Sequence, residues 1–157
     1  DHPDFAEKLV LMAPGCIEDQ ADYFKMPGIA KMVSGFGSPD FSFEEQKRLV
    51  SNLVHADFVS RIPDVLVAER YAVARTQPKD VLARMRTPNL GPRLGEVAKP
   101  ILVLCGLDDE FCPESGARHF LRHCADARCL TFTRTGHWVQ VERAAEFNRY
   151  AVEFLRG

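Results

Sequence analysis

Two short segments of this sequence carry side chains that could perform acid–base chemistry. Residues 135–142 hold His137 in a turn that contains Gly136, between a segment with strand character and a C-terminal helix. An imidazole in such a turn is well placed to act as a general base. Asp108 and Asp109 lie in an earlier loop, the second of them 28 residues before the histidine. A carboxylate that accepts a hydrogen bond from one imidazole nitrogen leaves the other nitrogen ready to take a proton.

These side chains need rigid elements to hold them, and the sequence predicts a parallel sheet. Residues 8–13 and 100–106 are continuous apolar runs that end in turn residues, which is typical of strands buried on both faces. Residues 129–133 form a third predicted strand. Because ligands gather at the carboxyl ends of parallel strands, we expect the two aspartates and His137 at one edge of the sheet. The alternative for the aspartates is a solvated turn, which the matching position of the histidine disfavours.

The predicted helices lie mainly between the first two strands. Asp64 is a plausible N-cap for one of them, because it follows a proline and precedes an apolar run. The helix after the second strand has a single apolar face, formed by Ala117, Phe120, Leu121 and Cys124. The predicted helices span residues 27–36, 43–54, 64–77, 78–86, 114–123 and from about 142 to the end.

The order of these elements predicts an α/β fold with three regions. Strand, helix, strand and helix follow one another after residue 100, which is the rhythm of a parallel doubly wound sheet. A crossover between parallel strands needs only about a dozen residues, so the longer stretch 17–92 is interpreted as a helical lid. Residues 1–16 are then a core strand with its flanks, and residues 93–157 the C-terminal core. Residues 1–4, which lack a starting Met, are expected to be a turn after a helix, in a C-terminal fragment.

Composition excludes several classes of function. A net charge of −2 and an apolar content of 46% give no electrostatic argument for binding nucleic acid or an anionic membrane. No apolar run approaches the roughly 18 residues of a membrane span. We expect a small-molecule substrate and no cofactor.

The cysteines and the remaining histidines do not predict a metal site. An odd number of cysteines without C-x-x-C spacing indicates free thiols in a reducing cytoplasm. His119 and His123 have helical i, i+4 spacing but no accompanying acid, so a solvated pair is favoured over zinc binding. His55 is expected on the surface of the lid. The cysteines are Cys16, Cys105, Cys112, Cys124 and Cys129.

The loops that carry the acid and the base resemble those of the α/β-hydrolases. Residues 106–113 and 136–138 look like the acid loop and histidine loop of that family, whose triad runs Ser, Asp or Glu, then His along the chain. The family pattern Gly-x-x-Asp selects Asp109 over Asp108 as the partner of His137. The resemblance therefore implies that Asp109 and His137 are two members of a catalytic triad.

A narrower resemblance is to the meta-cleavage product hydrolases. It rests on residues 136–142 and 146–149, and on residues 9–15, which look like the strand before that family's lid. These enzymes hydrolyse a carbon–carbon bond in dienoates formed by ring opening of catechols. The resemblance implies a carboxylate-bearing dienoate as substrate and leaves a homo-oligomer open for the complete protein. A lid-bearing carboxylic-ester hydrolase and a non-catalytic fragment are the alternatives.

Two further residues would then contact the substrate. Residues 67–71 resemble the segment that carries the family's arginine, which implies that Arg70 pairs with the substrate carboxylate. Its neighbours along the predicted helix are apolar, although a structural ion pair or a solvated position stays open. Trp138 follows the histidine and lines the pocket by family analogy, with plain packing as its alternative.

The sequence departs from the family at the nucleophile. No G-x-S-x-G motif is present, and the nearest imitation, Ser34, lies among helical residues. We expect the nucleophile and the oxyanion-hole loop to lie upstream of this chain, which would be inactive alone. Cys16 stands where the family often has a glycine.

Overall fold

The computed structural model describes residues 5–36, 41–78, 80 and 84–157. In it, three parallel strands form one sheet in the spatial order β1 (Leu9–Met12), β2 (Ile101–Gly106) and β3 (Ala127–Phe132). Strand β2 pairs with both of the others along its length. The predicted α/β class and all three predicted strands are confirmed, with strand ends that differ by one or two residues. The turn predicted at residues 1–4 lies outside the described residues.

Strand β2 forms the centre of the core because both of its faces are covered. Its side chains alternate between two apolar clusters, as the two-residue period of a strand requires. Ile101, Val103 and Cys105 contribute to one cluster, and Leu102 and Leu104 to the other. Strand β1, also expected to be buried on both faces, is only half-buried because it forms the edge of the described sheet.

Helices occupy much of the long interval between β1 and β2, and the helices after β2 pack against the sheet. The helices before β2 are α1 (Gln20–Tyr23), α2 (Pro27–Phe36), α3 (Phe43–Ser51) and α4 (Asp64–Ala74), with 3-10 helices at Ala56–Arg61 and Gly91–Glu96. The helices after β2 are α5 (Glu114–His123), α6 (Val139–Glu142) and α7 (Ala144–Arg156). Helix α5 packs against β3 and β2, and α6 and α7 also contact β2. Among the helices of the described residues, none combines the length and hydrophobicity that a bilayer crossing demands.

The structure corrects several details of the predicted helices. Asp64 is the first helical residue of α4 and not its N-cap, a position that Pro63 occupies without a side-chain hydrogen bond. The last long helix begins at Ala144, because the non-helical Arg143 separates it from the short α6. Leu121, expected on the apolar face of α5, is 48% exposed. The helix predicted at residues 78–86 falls in large part outside the described residues.

Helix α3 begins with a capping box that the sequence analysis missed. The hydroxyl of Ser42 accepts a hydrogen bond from the backbone N–H of Glu45, and the Glu45 carboxylate accepts one from the backbone N–H of Ser42. The S-x-x-E spacing that signals this arrangement is present in the sequence. The box fixes where α3 starts, and so sets which of its residues face the core.

Candidate active site

The carboxyl end of β2 meets the loop after β3, and this contact brings the predicted acid and base to one edge of the sheet. A side chain at Gly106 would lie 2.1 Å from the carbonyl oxygen of Gly136, a separation that only glycine permits. The backbone N–H of Asp108 donates to the carbonyl of Thr135 at 3.0 Å. The two loops are therefore joined through their backbones before any side chain of the site is considered.

Asp109 and His137 form a hydrogen-bonded pair at this junction. Nδ1 of His137 lies 2.9 Å from Oδ2 of Asp109, whose side chain is fully buried. The other carboxylate oxygen, Oδ1, accepts the backbone N–H groups of Phe111 at 2.7 Å and Cys112 at 2.9 Å. This geometry puts the proton on Nδ1 and leaves Nε2 as the proton-accepting nitrogen. Asp108 is exposed, so Asp109 is the acid that the histidine contacts.

The Cys112 thiol and the Tyr23 hydroxyl, both close enough to feel the charge of Asp109, stay neutral at neutral pH. Burial, together with the nearby charge of Asp109, raises the pKa of the Cys112 thiol to about 12. Burial and the neighbouring Cys112 also raise the pKa of the Tyr23 hydroxyl to about 12. Cys112 is consequently not a thiolate nucleophile, despite its place in the acid loop.

A cavity of about 430 Å³ opens beside His137, between the core and helices α3 and α4. Trp138 lines it and also packs in the apolar cluster of Val50, Val54 and Val67. The guanidinium carbon of Arg70 lies 4.9 Å from the centre of the Trp138 ring, which is cation–π contact. Arg70 is exposed and forms no ion pair within the described part of the chain. A larger cavity of about 600 Å³ lies beside Phe5 and β1 and does not include His137.

Glu142 is a buried residue of the site that the sequence analysis missed. One of its carboxylate oxygens accepts the backbone N–H of Gly136 and the other that of His55, both at 2.8 Å. Burial raises the pKa of Glu142. At the start of a predicted amphipathic helix an acid suggests only a solvated first turn, so the sequence carried no signal for this role. His55, expected on the lid surface, is half-buried at the junction that Glu142 makes.

Two more contacts join the inserted helices to the acid loop and the histidine loop. The backbone N–H of Trp138 donates to the carbonyl of Leu53 just after α3, at 2.9 Å. A side chain at Gly28 on α2 would lie 2.4 Å from the ring of Phe111, so this glycine lets α2 approach the acid loop. The Phe111 ring is in turn 5.1 Å from the His137 ring, centre to centre. Phe111 thus covers one side of the imidazole, a role that its sequence position did not suggest.

The remaining candidate residues do not join the site. Ser34 is exposed on α2, and its hydroxyl donates to the Lys31 carbonyl. Cys16 has φ of 61°, in the left-handed region that favours glycine, which accounts for the glycine often found at this point in the resembling family. His119 and His123 stack with ring centres 6.1 Å apart. No group of three or more potential metal ligands occurs among the described residues.

Comparison with known proteins gives one consistent set of relatives by sequence. No protein-family profile matches the chain. The chain is 30% identical over 167 residues to a 2-hydroxy-6-oxo-6-phenylhexa-2,4-dienoate hydrolase of Comamonas testosteroni, covering 99% of this chain and 56% of that protein. It is 32% identical over 164 residues to a 2-hydroxy-6-oxononadienedioate/2-hydroxy-6-oxononatrienedioate hydrolase of Paraburkholderia xenovorans (strain LB400). This match covers 98% of this chain and 55% of that protein. The chain therefore spans about half the length of the curated relatives it matches.

Solved structures agree with this comparison at the level of the fold. An esterase from Rhodococcus sp. ECU1013 superposes with a TM-score of 0.76 over 96% of this chain and 56% of that one. Its sequence identity to this chain is 16%, so the likeness concerns architecture alone.

Proposed function

We propose that the complete protein hydrolyses a carbon–carbon bond. The chain has the fold of the α/β-hydrolases, and its sequence relatives are meta-cleavage product hydrolases. The substrate is a 2-hydroxy-6-oxo-dienoate formed during the degradation of an aromatic compound. One observation carries the proposal: His137, which Asp109 holds from behind, and Arg70 line the same largely apolar cavity. A base and a single cation among apolar walls suit an anionic, mostly apolar substrate.

Each residue has a defined role in this proposal. Asp109 holds the Nδ1 proton of His137 and stabilises the imidazolium when Nε2 takes up a proton. His137 relays protons, helping the dienoate to ketonise and activating the nucleophile or water. Arg70 pairs with the substrate carboxylate through its planar guanidinium, and Trp138 supports that guanidinium from below. Residues 17–92 act as a lid over this site.

The nucleophile is assigned to a part of the complete protein outside this chain. The sequence has no G-x-S-x-G motif, and the relatives are nearly twice as long as the matched segment. The purified chain alone should therefore show no triad-type hydrolysis, because the serine and the oxyanion hole supply most transition-state stabilisation. Hydrolysis by the isolated chain that disappears in His137→Ala would contradict this assignment. The five free thiols support a reducing cytoplasm as its compartment.

The competing function is hydrolysis of a carboxylic ester. The fold is shared with an esterase, so architecture does not separate the two functions. Arg70 favours the dienoate, since a neutral ester offers no carboxylate to a guanidinium that forms no ion pair among the described residues. The test compares kcat/KM of the complete protein for a ring-cleavage dienoate and for a p-nitrophenyl ester. We expect faster turnover of the dienoate, and the reverse preference would replace the proposal by the esterase.

A further inference from the structure

The histidine loop is anchored through its backbone on both sides of the catalytic base. Before the loop, the carbonyl of Thr135 accepts the backbone N–H of Asp108 at 3.0 Å. After the base, the backbone N–H of Trp138 donates to the carbonyl of Leu53 at 2.9 Å. The backbone N–H of Gly136 lies between these anchors, and its acceptor is a side chain. The residue directly before the base is therefore held by a side chain and not by the main chain.

That side chain belongs to Glu142, whose carboxylate bridges the histidine loop and the segment after α3. One oxygen accepts the backbone N–H of Gly136 and the other that of His55, both at 2.8 Å. Glu142 is the last residue of α6, a helical turn that starts directly after Trp138. Its own backbone N–H donates to the Trp138 carbonyl at 2.9 Å, so the carboxylate reaches back to the loop from a hydrogen-bonded turn.

The chemistry of this position calls for a carboxylate. Two N–H donors require two acceptor atoms, which an ionised glutamate supplies and a glutamine does not. Burial raises the pKa of Glu142, because the charged form loses hydration, while the hydrogen bonds from His55 and Gly136 favour that charged form. An apolar residue would leave both N–H groups unpaired in a buried junction. A buried acid is therefore matched to these two donors in particular.

The histidine loop and the segment after α3 are packed closely enough to move as one unit. A side chain at Gly136 would lie 2.8 Å from the Val54 backbone and 2.9 Å from the backbone nitrogen of His55. Helix α3, which precedes this segment, lines the cavity beside the base with Leu49 and Val50. Glu142 therefore joins the loop that carries the base to an element that forms a wall of the same cavity.

The position of this loop decides whether His137 meets its partner. A single hydrogen bond of 2.9 Å links Nδ1 of His137 to Asp109, and Asp109 is itself fixed by two backbone N–H groups of its own loop. A shift of the histidine loop therefore lengthens this contact, because the carboxylate cannot follow. Misplacement of a catalytic group by about 1 Å can lower a rate by about 100-fold.

We propose that Glu142 is a positioning residue for His137, which keeps Nδ1 within hydrogen-bonding distance of Asp109 by tying the histidine loop to the segment after α3. Glu142 is not among the residues that line the cavity beside His137, so it acts through the base and not on the substrate. The kinetic part of its test rests on the proposed function, whereas the contact between His137 and Asp109 can be measured without any substrate.

The experiment compares the complete protein with its Glu142→Gln variant, which has nearly the same shape but one acceptor oxygen for two N–H donors. We expect kcat for 2-hydroxy-6-oxo-6-phenylhexa-2,4-dienoate to fall about 10- to 100-fold while KM stays within about threefold. Proton NMR without substrate should show a weakened low-field signal of the His137 Nδ1 proton, because this proton then exchanges faster with water. Glu153→Gln removes the same charge from an exposed position of α7 and is the matched control, which should leave both measurements unchanged.

The outcomes separate a positioning role from a purely structural one. A structural Glu142 would lower the melting temperature of the variant but leave kcat and the Nδ1 signal of the folded protein unchanged, and this result overturns the inference. A change in only one of the two measurements overturns it as well. If Glu142→Gln does not fold, Glu142→Asp takes its place, since the shorter carboxylate cannot bridge both donors and should produce the same two changes.

Failure of the proposed function is recognised separately. A complete protein that hydrolyses a p-nitrophenyl ester but no dienoate refutes the proposed function, and the same comparison of kcat is then made with the ester. A complete protein that hydrolyses neither substrate also refutes the proposed function, and the Nδ1 signal alone then decides the role of Glu142.

Discussion

Replacing Asp109 with asparagine tests what the carboxylate does for His137, because the two side chains have nearly the same size. One carboxylate oxygen accepts two backbone N–H groups, and the other accepts the imidazole N–H. Asparagine has one oxygen for these two positions. Turning its NH₂ group toward the two backbone N–H groups would leave both without an acceptor in a buried site, at about 1–3 kcal/mol each. The amide oxygen will therefore stay on the backbone, and the NH₂ group will face the histidine.

This orientation reverses the tautomer of the base. The asparagine NH₂ donates to Nδ1, which forces the imidazole proton onto Nε2, so that the nitrogen facing the substrate can no longer accept a proton. The loss in kcat for an asparagine that imposes the wrong tautomer is about 10⁴-fold. That factor is about 5 kcal/mol of transition-state stabilisation. The fold should survive, because the side-chain volume and both backbone hydrogen bonds are retained.

The assay is steady-state hydrolysis of a dienoate by the complete protein, with circular dichroism and thermal melting as checks on the fold. Asp108→Asn is the matched control, since the Asp108 side chain is exposed and its backbone N–H, which the substitution keeps, donates to the histidine loop. A folded Asp109→Asn variant that keeps kcat within tenfold of the parent would refute the proposed orientation of His137. Equal losses in both variants would show that the loss of a negative charge from this loop, and not the contact with Nδ1, lowers the rate.

Three further changes test the site and its attachment to the inserted helices. Arg70→Gln should raise KM for the dienoate about 10- to 100-fold, because it removes a charged hydrogen bond to the substrate. Saturation kinetics measure this KM, and a rise of less than about threefold would exclude carboxylate binding by Arg70. Gly136→Ala places a Cβ atom 2.8 Å from the Val54 backbone, so the histidine loop must move away from the segment after α3. Thermal melting should show a free energy of unfolding lower by about 1–3 kcal/mol. An unchanged melting temperature would contradict this packing. Folding raises the pKa of Glu142 above its ordinary value of 4.5. Above pH 4.5 the folded state therefore binds more protons than the unfolded state, and the free energy of unfolding should fall as the pH rises through the pKa of the folded state. Glu142→Gln should remove that part of the pH dependence of the melting temperature, and an identical pH profile in the variant would disprove the assignment.

Much of the site could be located from local sequence. Asp109 and His137 each follow a strand directly, and parallel strands deliver their carboxyl ends to one edge of a sheet. Two local patterns, an apolar run and the glycine-containing turn after it, were therefore enough to predict the meeting of two residues 28 positions apart. Helix α2 was likewise predicted with its observed bounds, since its start at Pro27 is encoded locally. The catalytic roles of Asp109, His137 and Arg70 stay predictions until the variants are measured.

The tertiary structure decided what local patterns cannot encode, which is the partner of each buried polar group. Glu142 sits in a helical turn whose sequence suggests solvent, yet it accepts the backbone N–H of His55, 87 residues away, and so joins the inserted helices to the histidine loop. Gln46 looks like an ordinary helix residue until the fold buries its side chain and leaves its Oε1 atom without a hydrogen-bond partner among the described residues. The physical reason is that backbone geometry and apolar periodicity are properties of neighbouring residues, whereas desolvation of a polar side chain depends on which distant segments pack against it. The sequence by itself therefore determined the strands, the turns and the edge where acid and base meet, and only the folded chain determined how that edge is attached to the inserted helices.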